Sequence, residues 1–142
     1  MQYHDKTHIF APFDDGSTVQ ILGSVAAGFP SPADDYLEEQ LNLHQHLIKH
    51  PSATFFVRVS GDSMTGAHIL DGDTVFLTPR DPRPGAIVAA LIDGESTLKR
   101  FLVQRGRPFL RAENPRYPDL LPATELIIQG VMVGLLRQQP AA

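Results

Sequence analysis

The chain contains no cysteine. That excludes a catalytic thiolate and a disulfide framework, and it fits a reducing compartment. A basic excess is also missing: twelve Lys and Arg stand against sixteen Asp and Glu, a formal net charge of −4. A domain that holds DNA by itself normally carries the opposite balance, because neutralising phosphates is what drives such binding. Contact with DNA is therefore expected mainly through partners. No apolar run reaches the roughly 20 residues of a membrane-spanning helix. The opening "MQYHDKTHIFAPFDDG" has neither the basic start nor the apolar centre of a signal peptide. The expected location is the cytoplasm, without membrane contact. There is no internal repeat and no low-complexity tract. At 142 residues the chain suits one compact domain. Such a domain buries roughly two thirds of its unfolded surface and needs no metal or cofactor to fold.

What is present divides near Pro51. Residues 1–18 are polar, rich in His and Asp, and read as a flexible N-terminal arm. Val19–Leu22 favour β structure, and small residues follow up to a breaker cluster at Gly28–Ser31. Ser31 suits an N-cap, Pro32 the first helical position and Asp34 a capping box, so a short helix is expected with Tyr36, Leu37 and Leu41 as its buried stripe. Asn42 with Gln45 repeats the capping pattern and predicts a second short helix up to His50. Beyond Pro51 the pattern is of strands: 55–60, 74–78, 86–92, 97–104, 108–112 and 126–136. They are separated by "SGD", "DGD", "RPG", "DGE", "RGR" and "NPRYP" turns. "IDGES" is a hairpin signal. The fold class is mainly β, a small barrel or packed curved sheets with one or two short N-terminal helices.

Chemistry is suggested by "SGDSM", residues 60–64. A serine hydroxyl needs a base to act as a nucleophile. His68 is five residues away, but no acid is placed to orient it and the "GxSxG" elbow of hydrolases is absent. Lys99, in the alternating "STLKRFLVQ", is the other candidate. If Thr97, Lys99, Phe101 and Val103 share the inner face, the lysine loses solvation, its pKa falls, and it can take the serine proton. In the opposite register Arg100 faces inward and Lys99 faces water. "DGD" at Asp71–Asp73 lacks the rest of a calcium loop and reads as a turn. His44 and His46, two apart on a helix, face different ways and are no metal pair. Arg100, Arg105, Arg107, Arg111 and Arg116 form a basic group, read as a solvated hairpin or a partner contact. The run 126–136 reads as core, with a dimer edge as the alternative.

"SGDSM", followed 36 residues after Ser63 by Lys99 in "TLKRF", resembles the LexA/UmuD family of Ser–Lys self-cleaving proteins, peptidase family S24. "AAGFPSPADDY", "LIKHPSATFFVRVSGDSM", "DGDTVFL" and "IDGESTLKR" extend the likeness, in order, from about Val19 to the C-terminus. The resemblance implies a LexA-type catalytic domain in which Ser63 is the nucleophile and Lys99 the general base. It places the cut at Ala27–Gly28, so that residues 1–27 are an arm removed from a domain of residues 28–142. Small residues at this bond suit close approach by a nucleophile. Within the family, the expectation is the UmuD-type mutagenesis branch. Only 27 residues precede Gly28, too few for the helix-turn-helix of a repressor. Ala27 instead of Cys is a departure toward the repressors. The branch implies a homodimer, stimulation by RecA filaments on single-stranded DNA, and a shortened form that joins a UmuC-type Y-family polymerase in translesion synthesis during the SOS response to DNA damage. The alternatives are a truncated LexA-type repressor and a non-catalytic interaction module of the same fold. A signal peptidase would need a membrane anchor.

Overall fold

The computed structural model describes residues 16–21, 24–32, 39–49 and 53–140. They belong to two compact units, one within residues 11–51 and one within residues 52–142.

In the N-terminal unit, β1 (Val19–Ile21) pairs antiparallel with β2 (Glu39–Leu41), Val19 opposite Leu41. Thr18 Oγ1 donates to Gln40 Oε1 at 2.8 Å beside this ladder. A short helix follows, α1 (Leu43–Leu47). It starts where the capping pattern predicts: the Asn42 side chain accepts from the Gln45 N–H at 3.0 Å. This satisfies one of the donors that a helix start leaves open, worth about 1 kcal/mol. The helix stops three residues short of the expected His50, because Ile48 is already extended (φ −114°, ψ 94°). Leu41, expected on a helical stripe, is instead the last residue of β2, since "EQL" finds a strand partner in "VQI". The remainder of the expected first helix, with Tyr36 and Leu37, lies outside the described residues.

The C-terminal unit is one antiparallel sheet. Its strands are β3 (Phe55–Arg58), β4 (Thr74–Thr78), β5 (Ile87–Ile92), β6 (Glu95–Gln104), β7 (Arg107–Arg111) and β8 (Leu126–Leu136), in the order β3-β4-β8-β5-β6-β7. Each expected strand is present to within two residues at either end. The sheet is open, ending at β3 and β7, so of the two expected forms the curved sheet is found and the closed barrel is not. β8 lies between β4 and β5 in the strand order: its first half, Leu126–Val131, pairs with β5 and its second half, Val131–Leu136, with β4. The pairing shifts by one residue between Phe76 and Leu77 and again between Ala89 and Ala90. Such bulges bend and twist a sheet. Two-residue turns close β5–β6 at Asp93–Gly94 and β6–β7 at Arg105–Gly106. All four residues have positive φ, as a tight hairpin with right-handed strands requires.

Val88, Ala89 and Ala90 are all at most 2% exposed. Successive strand residues point to opposite faces, so both faces of the sheet are covered at β5. One face carries Phe55, Val75, Leu77 and Ala89, roofed by Met64 and Ile69 from the β3–β4 connection. Val88, Ala90 and Val131 form a second cluster with Leu110. Leu110 also exchanges two backbone hydrogen bonds with Leu120, in the β7–β8 connection. Burying each such Leu or Ile contributes about 1.5–3 kcal/mol. Met64, 2% exposed, therefore anchors the segment around Ser63 to the core. Among the described residues no helix is long and apolar enough to cross a membrane.

Candidate active site

Ser63 lies in the β3–β4 connection, immediately before Met64 and a 3-10 turn, Thr65–Ala67. The segment is pinned at several points. Gly61 N–H donates to Asp71 Oδ1 at 2.8 Å. The Asp62 carbonyl accepts from Thr65 N–H and from Thr65 Oγ1. Met64 fills the core beneath. Ser63 is thereby held half-buried between exposed Asp62 and buried Met64.

Lys99 enters from β6, where it pairs with Val88 of β5. Of the two registers open to the sequence, the one with Lys99 inside is found. Lys99 is 9% exposed. Arg100 points elsewhere, to the Glu113 carboxylate and the Gly85 carbonyl. Lys99 Nζ lies 3.0 Å from Ser63 Oγ, 2.6 Å from Thr97 Oγ1 and 3.3 Å from the Leu98 carbonyl oxygen. These partners are all neutral. Burial pushes the Lys99 pKa below the ordinary lysine value, with no acid beside it to restore the charge. A neutral amine has two N–H donors and one lone pair. Thr97 and Leu98 can take the donors, which leaves the lone pair for the serine proton. Both side chains line a cleft of about 200 Å³, with Val57, Val59, Ala89 and Leu98 as apolar walls.

His68, the rival base, is exposed and sits at the end of the 3-10 turn in a left-handed conformation (φ 60°). Asp71 and Asp73 form a turn as expected, but both carboxylates also act as braces. Asp71 holds Gly61, and Asp73 accepts from Leu70 N–H and from Arg137. Arg111 is paired in a two-point contact with Asp119. Among the described residues no three His, Asp or Glu side chains converge on a metal-sized site. Ala27 and Gly28 are exposed in the N-terminal unit, within a segment that is neither helix nor strand.

Sequence reasoning passed over Asn114 and Tyr117. Asn114 Nδ2 donates to the Asp62 carbonyl at 2.9 Å, and the Tyr117 hydroxyl donates to Asp62 Oδ1. The local signal was the Asn-Pro turn in "NPRYP". Its long-range target, more than fifty positions earlier, has no local signature.

Residues 20–133 match the family model described as Peptidase S24-like. The chain is 56% identical over 121 residues to the LexA repressor of Verrucomicrobium spinosum, an alignment covering 84% of this chain and 60% of that protein. It is 48% identical over 99 residues to Protein MucA of Salmonella typhimurium, covering 68% and 66% of the two chains. With Protein ImpA of Salmonella typhimurium the identity is 43% over 115 residues, covering 79% and 78%. The match takes in about three fifths of the length of the LexA repressors.

Proposed function

The chain belongs to the Peptidase S24-like family, and on that premise we propose that it is a serine endopeptidase that cuts itself between Ala27 and Gly28. Lys99 takes the proton of Ser63 Oγ as that oxygen bonds to the Ala27 carbonyl carbon. The Lys99 ammonium then returns the proton to the Gly28 nitrogen as the C–N bond breaks. Water, deprotonated by the same lysine, releases residues 1–27 from the acyl-enzyme and leaves residues 28–142. The N–H groups of Ser63 and Met64 are the oxyanion donors in this reading. Neither has an acceptor among the described residues. The substrate is part of the same chain, so its effective concentration is high and a weakly activated serine suffices.

The observation that carries this reading is the 3.0 Å contact between a serine hydroxyl and a buried, desolvated lysine. Incubating the pure protein with and without RecA assembled on single-stranded DNA, then weighing the products, tests it. Fragments 1–27 and 28–142 are expected, faster with the filament. An intact chain under both conditions and at alkaline pH would leave only the non-catalytic module.

For the biological output we read an SOS mutagenesis role in the cytoplasm. The shortened form, as a homodimer, serves a UmuC-type polymerase in translesion synthesis. The identity to MucA and ImpA is compatible with this. The 56% identity to a protein named a LexA repressor favours a second reading, in which the cut ends transcriptional repression. Co-purification of a UmuC-type polymerase with residues 28–142 supports the first. Operator binding by the uncut protein, lost on cutting, supports the second.

A further inference from the structure

Ser63 Oγ and the Ser63 N–H belong to an exposed connection, and connections of this kind do not hold a side chain to within a few tenths of an ångström by themselves. The element that holds this one is the turn Glu113–Tyr117 in the β7–β8 connection. Asn114 Oδ1 accepts from the Arg116 N–H at 3.0 Å, and the Tyr117 N–H donates to the Asn114 carbonyl, also at 3.0 Å. Pro115, between them, removes backbone freedom. This rigid turn reaches the nucleophile segment three times. The Glu113 carbonyl accepts from the Gly66 N–H at 2.7 Å, Asn114 Nδ2 holds the Asp62 carbonyl, and the Tyr117 hydroxyl holds the Asp62 carboxylate. The same turn is tied to β6, because Arg100, next to Lys99, pairs with the Glu113 side chain.

The geometry points to Asn114 and Tyr117 as positioning residues for the Ser63 nucleophile, acting through Asp62. The peptide between Asp62 and Ser63 is planar and trans, so the Asp62 carbonyl and the Ser63 N–H point in opposite directions. Whatever fixes the carbonyl therefore fixes where the N–H points. Asn114 does this from the backbone side. Tyr117 acts on the same residue through its side chain and stops Asp62 from swinging. The two contacts differ in kind: one grips a main-chain oxygen that every residue at position 62 would offer, the other needs a carboxylate there. One turn thus sets the position of both reacting side chains, Ser63 through Asp62 and Lys99 through Arg100. This inference rests on the dyad reading for its catalytic meaning, though not for its geometry.

The test uses the full-length chain and the first-order rate of self-cleavage. Asn114→Ala and Tyr117→Phe are each expected to slow the reaction by ~10- to 100-fold, since misplacement near 1 Å costs about that much. The pH at which the rate is half-maximal should not move, because Lys99 is untouched. In an Asp62→Ala background, Tyr117→Phe is expected to have no further effect, whereas Asn114→Ala should still slow the reaction. Wild-type rates in both single variants, or an equal Tyr117→Phe loss with and without Asp62, overturns the proposal. A second measurement separates it from the dyad reading. In Ser63→Ala protein, which stays uncut, amide exchange across residues 61–65 should quicken at least several-fold when Asn114→Ala is added. Unchanged exchange overturns the clamp even if the wild type cleaves. Quickened exchange together with a wild type that never cleaves supports the clamp and sinks the dyad.

Discussion

Arg137, the residue after β8, donates to both carboxylate oxygens of Asp73 at 2.7 Å, although 64 positions separate the two. It also donates to the His68 carbonyl at 2.8 Å. One guanidinium thus closes the far end of the segment that begins at Ser63. Asp73 is 2% exposed and its pKa is lowered to about 2, chiefly by the hydrogen bond from Arg137.

Arg137→Met is expected to lower the thermal midpoint by about 5–10 °C, because it leaves a buried carboxylate without its partner. The wild type carries an acid signature of the same pair. A carboxylate whose folded pKa lies below its unfolded value stabilises the fold above the unfolded value, 3.8. That contribution is lost as pH falls toward about 2. Denaturant titrations between pH 5 and pH 2 should show the wild-type loss in that window. In Arg137→Met this loss should disappear, since burial then outweighs the remaining hydrogen bond and holds the folded Asp73 pKa at or above its unfolded value, so that protonation relieves a buried charge and does not remove a stabilising one.

Self-cleavage should accelerate with rising pH, because burial lowers the Lys99 pKa and only the neutral amine accepts the serine proton. Product formation by mass, followed from pH 6 to pH 10, checks this. A flat profile removes Lys99 as the base. Ser63→Ala and Lys99→Ala should both remain uncut. So should Lys99→Arg, since a guanidinium stays charged throughout this range.

Lys99→Met should raise stability while abolishing cleavage. A lysine whose folded pKa is lowered penalises the folded state most at pH values below that folded pKa. The penalty fades as pH rises toward the unfolded value, 10.5. The gain in thermal midpoint is therefore expected to be larger at pH 6 than at pH 10. An equal gain at both would mean that packing, not desolvation, sets the effect.

Gly66→Ala should distort the segment around Ser63. A Cβ at Gly66 would stand 2.5 Å from the Glu113 carbonyl oxygen, a main-chain atom with little room to move. The expected cost is about 1–3 kcal/mol by chemical denaturation. It should come with slower self-cleavage, because the Gly66 N–H bond to Glu113 is part of the same brace.

Much of this was open to inspection in the chain itself. Strand positions followed from alternation and turn residues. The N-cap at Asn42 followed from its own spacing to Gln45. Local patterns work there because each records a local cause: a pleat of period two, a donor three residues on, a turn that needs positive φ. Leu41 was misread because a three-residue strand carries too short a pattern to outweigh a neighbouring cap.

The sequence alone determined the candidates for chemistry: a serine among turn residues, a lysine in an apolar strand, and small residues at a candidate cut. It left open which of Lys99 and Arg100 faces inward. Tertiary structure decided that, by pairing β6 with β5 so that Lys99 lies against Ser63 while Arg100 finds Glu113. It also decided how Ser63 is held. Asp71, Asp73, Asn114, Tyr117 and Arg137 converge on one segment from positions up to 69 residues away. Hydrogen bonds of that reach depend on where the sheet brings its connections together, and no local pattern encodes it.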